Sequence, residues 1–373
     1  MKICFVAHGV YPLLSKSCSV DRIGGAELQQ VQIGKGLRNK GIDVSYVVFD
    51  HGQPDVENID DLTLHKSFQE DEGIPVIRFL YPRLYKIWKA LLRADADVYY
   101  CRAAGFLTGV LTLFCRIYKK KYIFAGAHDT DFIPEKLLIP TKRDKFLYLY
   151  GIRNAAAIIV QSNDQKQLLW KNFGLKGTVI RNFLDDENIS VSYSDRKIIL
   201  WVATIKSWKR PLQFINLAKI FPDEHFVMIG GRLGSEPKLF QLVTDQCAQL
   251  PNITFLGFQP LKETERYFSQ CKVFINTSEH EGFPNTFLQA WRCGVPVITY
   301  VNPDGIVVEN GLGTVVASET ELREALSDFL EDKKPDPEVI MRYFKENHSK
   351  GVIDHYYTLL ENIFTCPVEK SSF

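Results

Sequence analysis

The chain has 373 residues, of which 46% are hydrophobic and 24% are charged, and its formal net charge is +1 at pH 7. This length exceeds what one hydrophobic core normally organises, so we expect two domains. The composition excludes an intrinsically disordered chain, and no apolar run is long enough for a membrane-spanning helix.

The charge is distributed unevenly along the chain. Residues 1–185 contain 26 Lys and Arg against 19 Asp and Glu, which gives +7, and the remaining residues carry −6. This asymmetry fits either chance scatter over solvated faces or contact between the N-terminal half and an anionic partner. The eight cysteines show neither a CxxC pair nor metal-ligand spacing, which is typical of reduced thiols in the cytoplasm.

Short apolar segments alternate with helical patterns in the first half, which predicts βαβ units in a doubly wound sheet. The first strand begins too close to the N-terminus, and is too short, for a signal peptide. The predicted helices include residues 26–39, 107–118 and 164–173. The predicted strands are residues 3–8, 44–49, 76–80, 98–101, 122–127, 157–161 and 178–181.

A polar segment, residues 184–196, follows and reads as a linker. The strand pattern then restarts at residues 198–203, 226–229, 253–256, 273–277 and 297–300. We therefore predict one α/β domain at residues 1–185 and a second at 186–350. Residues 351–373 contain a last amphipathic helix, predicted at 352–364.

Two features of the first half lie at the ends of predicted strands. Gly24-Gly25 precedes a helix, where a glycine pair lets the backbone approach a phosphate or a sugar, although it also suits a tight turn. His128 and Asp129 follow strand 122–127, and open α/β sheets bind ligands at such carboxyl ends.

The most informative stretch is residues 278–294, which follows the predicted strand 273–277. An acidic turn containing Glu281 leads into Pro284-Asn285, which suits the first turn of a helix that stops at Gly294. The amide N–H groups of this helix start would face an anion, and Gln289 lies one turn beyond Asn285 on the same face.

This stretch resembles a known family. Glu281-Gly282-Phe283-Pro284-Asn285, followed by a helix and Gly294-Val295-Pro296-Val297, is similar to the donor-binding motif of the retaining GT-B glycosyltransferases of the family 4 type (glycosyl transferases group 1). The resemblance covers nearly the whole chain. It implies two Rossmann-like, doubly wound parallel-sheet domains facing a cleft: an N-terminal acceptor-side domain and a C-terminal nucleotide-sugar-binding domain. It also implies that the last helix crosses back to the first domain.

In the second half, the resemblance implies that Glu281 acts catalytically on the donor sugar and that Gln289 holds the ribose. The family has a second Glu where Gln289 stands, and Gln keeps a carbonyl acceptor without the charge. Lys209 matches a Lys that binds the donor diphosphate, whereas Thr204 stands where the family has an Arg. The other implied donor-binding residues are Gly282, Phe283, Pro284, Asn285 and Thr286, with Phe258 and Gly230 against the nucleobase.

In the first half, the resemblance implies that Gly24 and Gly25 lie near the donor diphosphate and that His128 contacts the donor sugar as a catalytic residue. Asp129-Thr130-Asp131 mimics the Asp-x-Asp metal motif of the other, GT-A, class. Two α/β domains favour GT-B instead, so we predict no metal and no other cofactor. The two carboxylates would then cap the helix that follows.

The expected activity is transfer of a hexosyl-type sugar from a nucleotide-diphosphate sugar to an acceptor hydroxyl, with retention, in polysaccharide or glycolipid assembly. A sugar-nucleotide epimerase of the same fold is one alternative. A non-catalytic subunit of a polysaccharide-synthesis assembly is another, because Thr204 and Gln289 replace charged residues.

The predicted partners are the nucleotide-diphosphate sugar and a glycan acceptor that is either free or lipid-linked, with no nucleic acid. Cations and apolar residues alternate around residues 114–150, which suits a cytoplasmic enzyme at the anionic inner face of the plasma membrane. The opposing interpretation is that the apolar residues are core and the lysines are merely solvated. The residues concerned are Phe114, Arg116, Ile117, Tyr118, Lys119, Lys120, Lys121, Lys136, Leu137, Leu138, Ile139, Lys142, Arg143, Lys145, Phe146, Tyr148 and Tyr150.

Overall fold

The computed structural model describes residues 1–15, 24–74, 77–185, 196–331 and 333–365. The chain forms two compact units. The first contains Met1–Asn182 together with the chain from Lys350 onward, and the second is Phe183–Ser349. Most of the predicted linker lies outside the described residues.

The first unit is built on an eight-stranded sheet of order β3-β4-β2-β1-β5-β6-β7-β8. All neighbouring pairs are parallel except the β3–β4 hairpin. Parallel strands covered on both faces need continuous apolar runs, and the central strands supply them. The strands are β1 Lys2–Val6, β2 Asp43–Val48, β3 Val56–Ile59, β4 Leu62–Lys66, β5 Val98–Arg102, β6 Lys121–Ala125, β7 Ala157–Val160 and β8 Thr178–Val179.

Helices cover this sheet, and local signals set their ends. Ser162 caps one helix by accepting a hydrogen bond from the Gln165 backbone N–H, and Gly174 ends it in the left-handed conformation. The helices are α1 Tyr11–Leu14, α2 Gly25–Asn39, α3 Tyr85–Ala94, α4 Phe106–Tyr118, α5 Lys142–Arg153 and α6 Asn163–Phe173. Shorter helical turns lie at His8–Val10, Phe79–Leu84, Asp129–Phe132 and Pro134–Lys136.

The second unit has a six-stranded, all-parallel sheet of order β11-β10-β9-β12-β13-β14. Its strands are β9 Ile198–Val202, β10 His225–Ile229, β11 Ile253–Phe255, β12 Cys271–Asn276, β13 Val297–Thr299 and β14 Gly313–Val315. Its helices are α7 Pro211–Ile220, α8 Pro237–Ala248, α9 Leu261–Gln270, α10 Asn285–Arg292, α11 Ile306–Glu309, α12 Glu319–Leu330 and α13 Pro337–His348, with short turns at Ser207–Lys209 and Pro303–Gly305.

The last described helix, α14 Val352–Thr365, packs on α2 within the first unit. Gly36 of α2 leaves the space that the Ile353 side chain occupies, because a Cβ at Gly36 would lie 2.7 Å from Ile353. Lys40 and Asp354 form an ion pair beside this contact. None of the described helices combines the length and the hydrophobicity needed to cross a bilayer.

The structure confirms the predicted α/β fold with two parallel-sheet units. It contradicts the strand predicted at residues 76–80, because residues 77–80 form turns and the start of a helix, and Val76 lies outside the described residues. The β3–β4 hairpin and β14 were missed: β3 is a polar edge strand, β4 alternates apolar and polar residues over only five positions, and β14 has only three residues. Six cysteines are buried free thiols, whereas Cys18 and Cys366 lie outside the described residues.

Candidate active site

The second unit concentrates the predicted site residues because β9 and β12 are neighbours in its sheet. Both strands run in the same direction, so the loops at their carboxyl ends meet at one edge. Residues 203–210 follow β9, and residues 277–284 follow β12. This adjacency brings together Lys209 and Glu281, which are 72 positions apart in the chain.

Lys209 and Glu281 form an ion pair. Their side chains are only 14% and 8% exposed, so both charges are largely withdrawn from water. Burial lowers the pKa of Lys209, and the attraction of Glu281 opposes that shift. The pair therefore places a cation and a carboxylate side by side in a partly dry environment.

Thr277 fixes the backbone that carries Lys209. Its hydroxyl donates to the Lys209 carbonyl at 2.6 Å and accepts from the Trp201 indole N–H at 2.9 Å. Thr277 is fully buried and Trp201 is 2% exposed, so both bonds lie in the core. The Lys209 loop is thus anchored to both strands.

Aromatic rings and a second cation surround the ion pair. Trp208 stacks on His280 with ring centroids 4.7 Å apart, and the Lys209 ammonium lies 4.1 Å from the Trp208 ring centroid. Arg210 lies 3.6 Å from Glu279 and 4.3 Å from the Tyr300 ring centroid. Arg210 is therefore held on the β13 side of the loop, away from the Trp208 face.

The helix start predicted at Pro284-Asn285 is present, since α10 begins at Asn285 with Pro284 as its N-cap. Gly282, Phe283 and Pro284 form the buried approach to this end, and Asn285 and Thr286 open the helix. Phe283 contacts Trp291 and His348, which fixes the loop on the core. Gln289 is 4% exposed one turn into the helix. A helix start beside a buried cation is suited to an anionic ligand.

The two residues predicted to lie near the nucleobase sit on adjoining loops. The Gly230 backbone N–H donates to the Gly257 carbonyl at 2.8 Å, beside half-buried Phe258. A Cβ at Gly230 would lie 2.3 Å from the Ala203 carbonyl oxygen, so glycine allows this loop to pack against the end of β9.

His128, Gly24 and Gly25 lie in the first unit. The His128 backbone N–H donates to the Asp131 carboxylate at 3.1 Å, and the imidazole is half-buried. Gly24 is the N-cap of α2, and a Cβ there would lie 2.0 Å from the Glu27 carboxylate. Gly24 therefore allows Glu27 to fold back over the start of α2.

Asp129 and Asp131 both have protein partners. Asp131 accepts hydrogen bonds from the backbone N–H groups of Ala127 and His128, and burial raises its pKa. Asp129 accepts from the Gln165 side chain at 3.0 Å. Asp129–Phe132 is one short helical turn, and Asp131 caps its start as predicted by accepting from the His128 backbone N–H. No cluster of three metal-ligating side chains occurs among the residues that the structure describes.

Motif reading missed Thr277, Trp208 and His280. His280 directly precedes Glu281, Trp208 directly precedes Lys209, and Thr277 ends the predicted strand 273–277, so proximity in sequence to a motif residue was the available signal. Their contacts with each other depend on strand adjacency, which the sequence pattern does not show.

Comparison with known proteins covers both units. The family model described as Glycosyltransferase Family 4 matches residues 23–188, and that described as Glycosyl transferases group 1 matches residues 182–347. The chain is 25% identical over 183 residues to N,N'-diacetylbacillosaminyl-diphospho-undecaprenol alpha-1,3-N-acetylgalactosaminyltransferase of Campylobacter jejuni. That match covers 47% of this chain and 42% of the relative's length.

Solved structures share the fold over nearly the full chain. Sucrose-phosphate synthase from Thermosynechococcus elongatus superposes with a TM-score of 0.77 at 16% identity, covering 97% of this chain and 99% of that one. Anabaena HepE in complex with UDP and glucose gives 0.75 at 18% identity, covering 98% and 100%.

Proposed function

Because the chain belongs to the GT-B glycosyltransferases of the family 4 type, we propose that it transfers a sugar from a nucleotide-diphosphate sugar to an acceptor hydroxyl. The pairing of Lys209 with Glu281 beside the start of α10 carries the proposal. Lys209 and the helix start would hold the diphosphate, and Glu281 would accept from a donor-sugar hydroxyl.

The proposed reaction proceeds with retention. The bond between the anomeric carbon and the phosphate oxygen breaks, the acceptor oxygen bonds to the same face, and the leaving phosphate takes the acceptor proton. Negative charge develops on the diphosphate as it leaves, so a fixed cation at Lys209 stabilises the transition state more than the ground state. His128 would contact the donor sugar.

The activity is tested by incubating the protein with a panel of nucleotide sugars and glycan acceptors. We expect release of nucleoside diphosphate that depends on the acceptor, and a product whose anomeric NMR coupling matches that of the donor. Conversion of the nucleotide sugar without an acceptor would indicate an epimerase instead. Inversion would contradict the mechanism, and complete inactivity across the panel would favour a binding subunit.

Metal independence is part of the proposal. We expect activity to persist in excess chelator, and Asp131→Asn to be mild because asparagine keeps a carbonyl oxygen for the Ala127 and His128 N–H groups. Initial rates with and without chelator measure this. Loss of activity in chelator, with rescue by Mn²⁺ or Mg²⁺, would restore Asp129-Thr130-Asp131 as a metal site.

We further propose a lipid-linked acceptor in polysaccharide or glycolipid assembly at the inner face of the plasma membrane. The Campylobacter jejuni relative is named for a diphospho-undecaprenol acceptor. In this chain, α3, α4 and α5 lie side by side: Trp88 contacts Phe114, and Arg116 donates to the Tyr150 hydroxyl. These helices and their flanks are strongly basic, since residues 77–94 and 106–121 contain no Asp or Glu, and residues 136–153 contain only Asp144.

Exposed apolar side chains accompany these cations. Phe114 and Tyr148 are core residues, as the opposing interpretation expected, whereas Leu138 and Phe146 are 70% and 69% exposed. The segment before α3 adds residues that the sequence analysis did not consider, since Arg143 stacks on Phe79 at 3.5 Å. The exposed apolar residues of this surface are Ile77, Leu80, Tyr81, Tyr85, Leu113, Ile117, Tyr118, Leu138 and Phe146.

Co-sedimentation with vesicles tests the membrane contact. We expect binding that requires anionic lipid, weakens with salt, and falls on the order of fivefold for each cation among Lys119–Lys121 and Lys142–Lys145 that loses its charge, at about 1 kcal/mol per cation. Removing the exposed Lys219 and Lys238 charges of the second unit is the matched control and should have little effect. Failure to bind either neutral or anionic vesicles would favour a soluble acceptor.

A further inference from the structure

Three buried amide side chains form a network at the carboxyl ends of the first-unit strands. Gln161 follows β7, Gln165 lies in α6, and Asn182 follows β8. Their exposed fractions are 3%, 0% and 2%. Burying an amide costs free energy unless hydrogen bonds to the protein replace those to water. Three buried amides in one place therefore need partners, and those partners indicate what the amides hold in position.

The two glutamines hold the segment that carries His128 at both of its ends. Gln161 donates from its side chain to the Gly126 carbonyl at 2.7 Å, and Gln165 donates to the Asp129 carboxylate at 3.0 Å. The side-chain oxygen of Gln165 accepts from the Gln161 backbone N–H at 2.9 Å, so the two glutamines are also bonded to each other.

The segment is also held from within. Asp131 accepts from the Ala127 and His128 backbone N–H groups at 2.8 and 3.1 Å. A Cβ at Gly126 would lie 2.4 Å from the Phe132 ring, so the backbone is closely packed there. Together with the hydrogen bonds from Gln161 to Gly126 and from Gln165 to Asp129, these contacts fix the orientation of the backbone on both sides of His128.

The network continues away from His128. The Asn182 side chain donates to the side-chain oxygen of Gln161 at 3.2 Å and accepts from Arg102 at 2.7 Å. Arg102 is the last residue of β5. The amides are therefore supported by β5, which makes them a rigid base for the loop.

We infer that Gln161 and Gln165 are positioning residues for His128, holding the backbone so that the imidazole keeps one orientation toward the transferring sugar. This inference rests on the proposed function, in which His128 contacts that sugar. Small displacements of a reacting group lower the rate steeply, so loss of the amides acts on turnover. The donor diphosphate contacts proposed at Lys209 and α10 are unaffected, because they belong to the second unit.

Gln165→Met keeps the length of the side chain and removes both hydrogen bonds. We expect a kcat about tenfold lower with a donor KM within about twofold of the parent value. The decisive measurement is a double-mutant cycle with His128→Ala, in which Gln165→Met should cause no further loss. Equal loss in both backgrounds would show a general structural effect and would overturn the inference, as would an unchanged kcat.

A second readout does not depend on activity. Gln165→Met and Gln161→Met should each speed hydrogen exchange of the backbone amides at residues 127–131, while exchange elsewhere in the unit stays unchanged. If these amides keep their protection, the positioning role is refuted. If the variants lose this protection but the parent protein has no transferase activity, Gln161 and Gln165 still hold the backbone at residues 127–131. In that case the proposed function fails and the structural role of the glutamines stands.

Gln53→Met is the matched control. Gln53 is also buried, at 6% exposed, and its side chain also bridges two backbone groups, donating to the Phe49 carbonyl and accepting from the His51 N–H, both at 2.6 Å. It holds a different loop, so its replacement should leave exchange at residues 127–131 unchanged. Faster exchange there in the control would show that the effect is not specific to the network.

Discussion

Replacing Glu281 by alanine is expected to lower kcat/KM on the order of a hundredfold, in the range seen when one preorganised hydrogen-bonding group is removed from an active site. The Glu281 carboxylate is 8% exposed and paired with Lys209. Its loss removes the proposed acceptor for a donor-sugar hydroxyl and leaves the buried ammonium without that partner.

Glu279→Ala is the control for this substitution. Glu279 lies two residues earlier on the same loop, is 53% exposed and contacts Arg210 at 3.6 Å, so its removal should change kcat/KM less than threefold, or about 0.6 kcal/mol. Gln289→Glu should also be tolerated, because it keeps the carbonyl oxygen proposed to bind the ribose. Near-parental kinetics of Glu281→Ala, in a protein with an unchanged melting temperature, would refute the assignment.

Lys209→Met is expected to have a comparably large effect, lowering turnover and also weakening donor binding. The variant removes the cation proposed to hold the diphosphate, so the donor KM should rise and the product nucleoside diphosphate should bind on the order of a hundredfold more weakly. Titration calorimetry with UDP and other nucleoside diphosphates measures this loss separately from catalysis.

The control is Lys272→Met, which breaks a comparable ion pair in the same unit. Lys272 pairs with Glu224, their side chains being 20% and 25% exposed, at the start of β12 rather than at its carboxyl end. If Lys272→Met loses as much nucleotide affinity as Lys209→Met, then breaking either ion pair weakens binding by disturbing the fold. That result would refute the proposal that Lys209 binds the diphosphate.

The pH dependence provides an independent check on Lys209. Burial lowers its pKa below the ordinary lysine range, so the ammonium loses its proton at a lower pH than an exposed lysine would. The cation that binds the diphosphate is present below that pKa and absent above it. Nucleotide affinity should therefore fall on the alkaline side, and Lys209→Arg should remove this fall because arginine stays charged.

Sequence periodicity predicted most of the architecture. Central strands such as β1, β2 and β9 are apolar on both faces, because helices cover both faces of a parallel sheet, and such runs are visible without a structure. The strand at residues 76–80 was wrongly predicted because this apolar run lies on the surface. Ile77 and Leu80 are apolar yet 53% and 64% exposed, and an apolar run on the surface looks the same in sequence as a buried strand.

The site shows the same division. The sequence by itself determined that residues 281–294 form a loop and a helix start after a strand, and that Lys209 follows another strand, because turn residues and helix caps act over a few positions. Only the tertiary structure decided that Lys209 pairs with Glu281, that Thr277 anchors the Lys209 loop, and that Gln161 and Gln165 hold the backbone around His128. These contacts depend on which strands are neighbours in the sheet, and strand order follows from packing of the whole domain rather than from any local pattern.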